Sequence, residues 1–343
     1  MLPAADPRHA PQRHAAPRHV GFLLLPGFPL MSYASAVEPL RGAGVLAGHP
    51  LYRWSHYTFD GAPARASNGI AIAPDGELTE SAGLDMLFVC AGGNPAAFDH
   101  RPTFARLRGL AAGGLVLGAM SGGAYVLARA GLLNGRRCTI HWEHIPALVE
   151  EFPHLQLERT LWVFDRDRIS CAGGLAAFDM MVEMIARQHG PELAIEVGDW
   201  YLHSRARSGG DAQRSSLRER LGVANPRLLR VLAMLEQQTD VPPDRASLAK
   251  AAGVTPRQLD RLFAAHLGTS LGAYSLGVRL ERARALLRQT GLAVAEVAVA
   301  CGFIATGHFA RAYRARFGLS PRQDRGGTAA LAARAGGKGD QGV

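Results

Sequence analysis

The sequence predicts two domains: an α/β unit with a doubly wound, mostly parallel sheet, and then an all-α unit with two helix-turn-helix motifs. Three observations carry this. Across residues 20–204, short apolar runs alternate with helical stretches, as strands buried on both faces of a parallel sheet do. Near the C-terminus a degenerate repeat appears, Leu248-Ala249-Lys250-Ala251-Ala252-Gly253-Val254 returning as Val297-Ala298-Val299-Ala300-Cys301-Gly302-Phe303. From 240 to 325, thirteen basic residues face six acidic ones, which is most of the +9 net charge.

The first nineteen residues are rich in Pro, His, Arg and Ala and lack the apolar centre of a signal peptide, so 1–19 is expected to be a disordered tail. The runs Val20-Gly21-Phe22-Leu23-Leu24-Leu25, Met86-Leu87-Phe88-Val89-Cys90 and Leu115-Val116-Leu117-Gly118-Ala119 are the predicted strands. Helices are expected at 33–46, 103–112 and 123–130, and a further strand at 138–142. Together they make a domain spanning 20–204, in which ligands bind beyond the carboxyl ends of the strands. A Ser-, Arg- and Gly-rich stretch marks a linker at 205–224, and a second tail is expected at 326–343.

Between these lies a predicted helical domain, 225–325, led by a helix at 225–238. Each repeat copy is a small apolar helix closed by Gly253 or Gly302, a turn, and a longer helix with arginines on its polar side. Thr255 and Pro256 fit an N-cap and a first-turn proline. Leu259, Leu262, Phe263 and Leu267 form the buried stripe of the first copy; Phe309, Tyr313 and Phe317 form that of the second. Arg257, Gln258 and Arg261 are then left outside, as are His308, Arg311 and Arg314. A helix over 274–288 would hold the two copies about 34 Å apart, the spacing of successive major grooves. A helical hairpin with a solvated charged face explains one copy, but arginine at the same place in both favours a phosphate-binding surface and double-stranded DNA as partner.

The segment 247–325, with Ala298-Val299-Ala300-Cys301-Gly302-Phe303, His308-Phe309-Ala310-Arg311 and Phe317-Gly318-Leu319-Ser320-Pro321-Arg322, resembles the DNA-binding domain of AraC-type transcription regulators. The resemblance implies base contacts early on both recognition helices, at Arg257 and Arg261 in the first and Gly307 and Arg311 in the second; Gln258, Thr306, His308 and Arg314 complete the expected DNA-contacting set. Gly307 departs from the polar side chain usual there.

In the sheet domain three turns converge. Met120-Ser121-Gly122-Gly123-Ala124 is a strand-to-helix turn of the nucleophile-elbow kind, at a helix N-terminus that attracts anions. Ala91-Gly92-Gly93-Asn94 ends another strand, and Pro26-Gly27-Phe28 leads from the first strand towards Glu38. His141-Trp142 follows the elbow by twenty residues. With Ala36-Val37-Glu38-Pro39-Leu40-Arg41 and Cys171-Ala172-Gly173-Gly174, these motifs resemble the class I glutamine-amidotransferase-like superfamily in its ThiJ/PfpI branch. There the elbow carries cysteine, helped by a glutamate and often a histidine. Here position 121 is serine, which has no thiolate to offer and needs an adjacent base.

The expected site is therefore a ligand pocket and not a catalytic one: Glu38, Gly92, Gly93, Asn94, Ser121, Gly122, His141 and Trp142. The amides of Gly93, Ser121 and Gly122 would hold a carboxylate, and Glu38 with the Trp142 ring an amine. No cofactor and no metal site is expected, because the four cysteines are separated and the histidines lack ligand spacing. The two-domain order resembles AraC-type regulators with an amidotransferase-like sensor, a group that includes activators of carnitine, glycine betaine and arginine catabolism. That implies a bacterial, cytoplasmic, nucleoid-associated activator with a small-molecule inducer, RNA polymerase as a partner, a homodimer formed through the sheet domain, and no membrane. Two other classes remain: an amidase or hydrolase with Ser121 as nucleophile fused to a DNA-binding tail, and a constitutive structural DNA-binding protein.

Overall fold

The structure is a computed structural model that describes residues 16–80, 83–203, 205–237 and 240–325. The sheet domain begins with β1 (Arg18–Leu24), α1 (Leu30–Leu46), β2 (Tyr52–Thr58), the short strands β3 (Ala64–Arg65), β4 (Ala71–Ile72) and β5 (Gly76–Glu77), and β6 (Met86–Ala91). It continues through α2 (Arg101–Ala112), β7 (Val116–Ser121), α3 (Gly123–Arg129), β8 (Arg137–Cys138), α4 (Ile145–Glu151) and β9 (Gln156–Leu157). β10 (Trp162–Asp165), β11 (Arg168–Cys171), α5 (Ala176–His189) and α6 (Pro191–Trp200) complete it.

The main sheet runs β10-β11-β7-β6-β1-β2-β5, parallel except for the edge pair β10/β11. Alternate residues of its central strands enter different cores, as the two-residue period of a strand requires. Phe22, Phe88 and Met120 pack with α1, α5 and α6, whereas Leu23, Val89 and Leu117 pack with α2, α3 and α4. Both faces are thus covered, which is why these strands are continuously apolar in sequence.

The helical domain contains α7 (Leu217–Leu221), α8 (Pro226–Gln237), α9 (Arg245–Ala252), α10 (Pro256–Leu267), α11 (Leu271–Gln289), α12 (Val294–Ala300) and α13 (Thr306–Phe317). It has two separate cores. One gathers Leu228, Val231, Leu248, Leu259, Phe263 and Leu271; the other gathers Leu280, Leu286, Val297, Phe309 and Tyr313. Helix α11 contributes its first turn to one core and its second half to the other, so it is the beam between them.

Three expectations change. Strand β1 already includes Arg18 and His19, whose imidazole contacts Gly83 O at 3.1 Å and Ser55 Oγ at 2.9 Å, so the N-terminal tail cannot extend to 19; residues 1–15 and the 326–343 tail lie outside the described residues. The predicted strand 138–142 stops at Cys138, because His141 caps a 310 turn, Trp142–His144, by accepting from the Glu143 amide. The segment foreseen as a linker is held to the sheet domain. The Gly209 carbonyl accepts from Leu161 N at 2.9 Å, Arg207 Nε donates to Asp179 at 2.9 Å, and the Gln213 amide donates to Ile140 O at 2.9 Å and Thr160 O at 2.8 Å. Its polar composition serves these bonds, and 217–221 is a helix with a Ser216/Glu219 capping box.

Candidate ligand site and DNA-reading surface

The end of β7 makes a strained turn. Ser121 has φ of 56°, a left-handed conformation that a non-glycine residue holds only when its surroundings impose it. They do so here: the Ser121 carbonyl accepts the His141 amide at 3.3 Å, and the Gly122 amide donates to Ala91 O at 2.8 Å. Helix α3 starts at once, and a Cβ on Gly123 would lie 2.0 Å from the Val89 carbonyl, so only glycine lets the helix begin this close to the sheet. Ser121 is 6% exposed.

Four turns meet around it. A Cβ on Gly92 would stand 2.8 Å from Gly27 O, which brings the turn after β1 against the turn after β6. Pro95 packs on Gly122 from the same side. On the other side, a Cβ on Gly173 would fall 2.7 Å from Ser32 Oγ and 2.8 Å from Ser121 Cβ, so the two serines flank one glycine. Ser32 is fully buried, and its hydroxyl accepts the Gly174 amide at 2.7 Å, leaving its own proton to donate. Asn94 Oδ1 is buried with no hydrogen-bond partner among the described residues. Burial lowers the pKa of His141, helped by neighbouring His144 and opposed by Glu143, which favours the neutral form of its imidazole.

Gly92, Gly93, Asn94, Ser121, Gly122 and the His141 backbone thus come together as the sequence suggested, with one restriction: the Gly122 amide is already spent on Ala91. Glu38 is not brought to the elbow. It lies six residues beyond Ser32 on α1, about 9 Å along the axis and turned to another face. There its carboxylate accepts from Arg41 Nε at 2.9 Å and from the Tyr201 hydroxyl at 2.8 Å. The Arg41 hydrogen bond chiefly holds its pKa below the usual value, against the effect of burial. Trp142 is also engaged, since the Arg214 guanidinium sits 4.5 Å from its ring centroid. The amine-holding pair expected from sequence is therefore absent, both members being matched by arginines of the chain itself.

The second surface is on the helical domain. Thr255 caps α10 in a capping box with Gln258, and Gly253 and Gly268 end α9 and α10 in left-handed conformation. Leu259 and Phe263 are fully buried, so Arg257 and Arg261 point outward. Gln258 is exposed too, but its carbonyl is used by the Thr255 amide at 2.9 Å. On α13, burial of Phe309 and Tyr313 leaves Thr306, Gly307, His308, Arg311 and Arg314 exposed. The His308 ring leans on Phe303 at 5.9 Å. Each first helix is fixed by an arginine from the helix before it: Arg230 donates to Ala251 O at 2.9 Å, and Arg279 to Cys301 O at 2.7 Å and Gly302 O at 2.9 Å. Two like-built heads thus present a recognition helix each.

Each of the two domains matches a known family. Residues 248–327 match the helix-turn-helix domain family, and residues 18–187 match the DJ-1/PfpI family. The HTH-type transcriptional regulator CdhR of Pseudomonas aeruginosa is 45% identical over 304 residues, 89% of this chain and 90% of that protein. The chain belongs to the AraC family of HTH-type transcriptional regulators.

Within this family the HTH-type regulator GlxA of Rhizobium meliloti is 43% identical, over 89% of this chain and 94% of its own length. The crystal structure of an AraC family transcriptional regulator from Pseudomonas putida is 29% identical with a TM-score of 0.50, covering 54% of this chain and all of that one. This AraC-family regulator therefore pairs a DJ-1/PfpI domain with a DNA-binding helix-turn-helix domain. Among the described residues, no helix is long and apolar enough to cross a membrane. Sequence reasoning missed Ser32, Gly173 and Gly174. Gly173-Gly174 after β11 was a visible signal, a fourth glycine-bearing turn at a strand end; Ser32 gave none, being one small residue within a helix.

Proposed function

We propose that this regulator is a transcription activator whose DJ-1/PfpI domain senses a small amine- or carboxylate-bearing metabolite at the turn around Ser121. The carrying observation is the pairing of Ser121 with Ser32 across Gly173. Two hydroxyls and the unpartnered Asn94 oxygen supply donors and an acceptor at the end of the sheet, where open α/β folds bind ligands. A ligand carboxylate is received by the serine hydroxyls and the exposed Gly93 turn, and an amine by Asn94 Oδ1. Among the described residues, no side-chain base is hydrogen-bonded to the Ser121 hydroxyl, which favours binding over acyl transfer. Homodimerisation through the sheet domain, contact with RNA polymerase and a cytoplasmic, nucleoid-associated location belong to the same reading; they rest on the resemblance to activators of this type.

The test is thermal unfolding of the whole protein against a panel of small carboxylates, amines, quaternary ammonium compounds and guanidines. A binder at 100 times its Kd adds about 2.7 kcal/mol of stability. Ser32→Ala and Ser121→Ala should each weaken that gain. Turnover of an amide or ester by the wild type, lost in Ser121→Ala, would establish the hydrolase instead.

A further inference from the structure

Helix α11 joins the helical domain to the sheet domain, packing on α4, on the 310 turn that precedes α4, and on the 310 turn that follows Asn94. The turn before α4 is Trp142–His144, which begins one residue after the His141 amide that holds the Ser121 carbonyl. Its His144 Nδ1 lies 3.1 Å from Gln289 Oε1 at the end of α11, and both residues are buried, 3% and 5% exposed. Six residues later, on α4, Glu150 pairs with Arg282 of α11 at 3.4 Å. Helix α11 also packs on the 310 turn Pro95–Ala97, which directly follows Asn94. The same helix thus leans on the turn that follows Asn94 and on the one that follows the His141 amide, both next to the Ser121 site.

What α11 does on its other side gives these contacts meaning. Gln289 and Arg282 flank Leu286 and Leu287, which belong to the core of the second head. The other end of the turn reaches the first head: Arg214, stacked on Trp142, stands within the electrostatic field of Arg220, Glu236 and Tyr274. One turn therefore meets the second head directly, through Gln289, and faces the first through the charge of Arg214; the two heads have separate cores and are joined by α11.

We infer that the turn Trp142–His144 is the coupling element of this regulator, setting the position of α11, and with it of the two DNA-reading heads, according to the state of the Ser121 site. The inference rests on the sensing role proposed above for that site. Coupling of this kind is reciprocal: whatever loosens α11 from the sheet domain must also loosen the turn around Ser121.

Reciprocity gives a test that needs no ligand and no known operator. Hydrogen–deuterium exchange is followed on the full chain for the wild type, Gln289→Ala, Arg282→Glu, Glu150→Arg and the charge-swapped double variant Glu150→Arg/Arg282→Glu. Substitutions on α11 should speed exchange in segments 92–97 and 139–144 of the other domain by about tenfold, a typical coupling strength. Strands β1 and β6 should stay protected, and the charge swap should bring 139–144 back towards wild-type rates. Faster exchange in α11 with 92–97 and 139–144 unchanged would overturn the inference, as would a double variant no better than the single ones. Should Gln289→Ala unfold the helical domain, the charge-swap series decides alone. A metabolite screen without a binder would remove the sensing role and leave the exchange result standing.

Discussion

The Tyr313 hydroxyl donates to Asp324 Oδ2 at 2.7 Å, where the carboxylate is 2% exposed and also receives Arg284 Nε at 2.9 Å and Arg288 Nη2 at 2.7 Å. This knot ties the segment that follows α13 to α11 and α13. Asp324→Ala leaves a buried hydroxyl and two cations without their acceptor, and should cost about 3 kcal/mol, the lower end for a broken buried pair because both arginines are about one-third exposed. Urea unfolding checks it; a loss below about 0.5 kcal/mol would show that the knot is ornamental.

Arg257→Ala and Arg261→Ala should each weaken binding to a DNA site selected from random sequence by about 1–3 kcal/mol, with little change on unrelated DNA. Equal losses on both would reassign the two side chains to phosphates. Because Gly307 offers no side chain at the start of α13, base changes in the second half of the site should be tolerated better than in the first. A binding series on mutated sites reads this directly.

Burial pushes the His144 imidazole below its usual pKa, against the Gln289 hydrogen bond and Glu143, and does the same to His141. Between those lowered values and the ordinary value of about 6.5, the unfolded chain binds more protons than the folded one, so stability rises with pH in that window and is lost as pH falls through it. The melting temperature should therefore drop from about pH 7 to about pH 5.5, and His144→Gln should flatten the drop. An unchanged slope in that variant would place the effect elsewhere.

The segment 205–213 reads as a linker in sequence but is pinned by Asp179, Leu161 and the Gln213 side chain. Limited proteolysis should accordingly spare Gly209-Gly210 in the intact protein. A fragment beginning at Ser215 keeps the α7 capping box and both helical cores, so it should fold and bind DNA, with a log–log salt slope of about −0.9 per phosphate neutralised. It should answer to no metabolite. Rapid cutting at Gly209-Gly210 would mean that these hydrogen bonds do not persist in solution.

Periodic features were legible. The apolar runs gave β1, β6 and β7 to within two residues, and the repeated glycine and arginine positions gave both heads with their caps. The elbow was legible as well, since a strand running into Ser-Gly-Gly leaves few other conformations. Contacts between distant residues were not. Glu38 and Ser32 share one helix, but only the placement of Gly173 beside Ser32 decides which of them meets Ser121. Trp142 is an apt host for a cation, yet sequence does not reveal that Arg214, seventy-two positions later, takes the place. A polar, glycine-bearing stretch looks the same whether its amides face water or a neighbouring strand.

The arginines that fix the first helix of each head enlarge the repeating unit. Arg230 and Arg279 are 49 positions apart, the same interval that separates Gly253 from Gly302, and each stands on the helix preceding its own head. The repeating unit thus has three helices, not two, and the beam α11 is the leading helix of the second copy. Recombination between such regulators would have to cut ahead of Arg279 to exchange a complete reading head. A junction placed in the turn after α11 would separate the Cys301 and Gly302 carbonyls at the end of α12 from the Arg279 guanidinium that holds them.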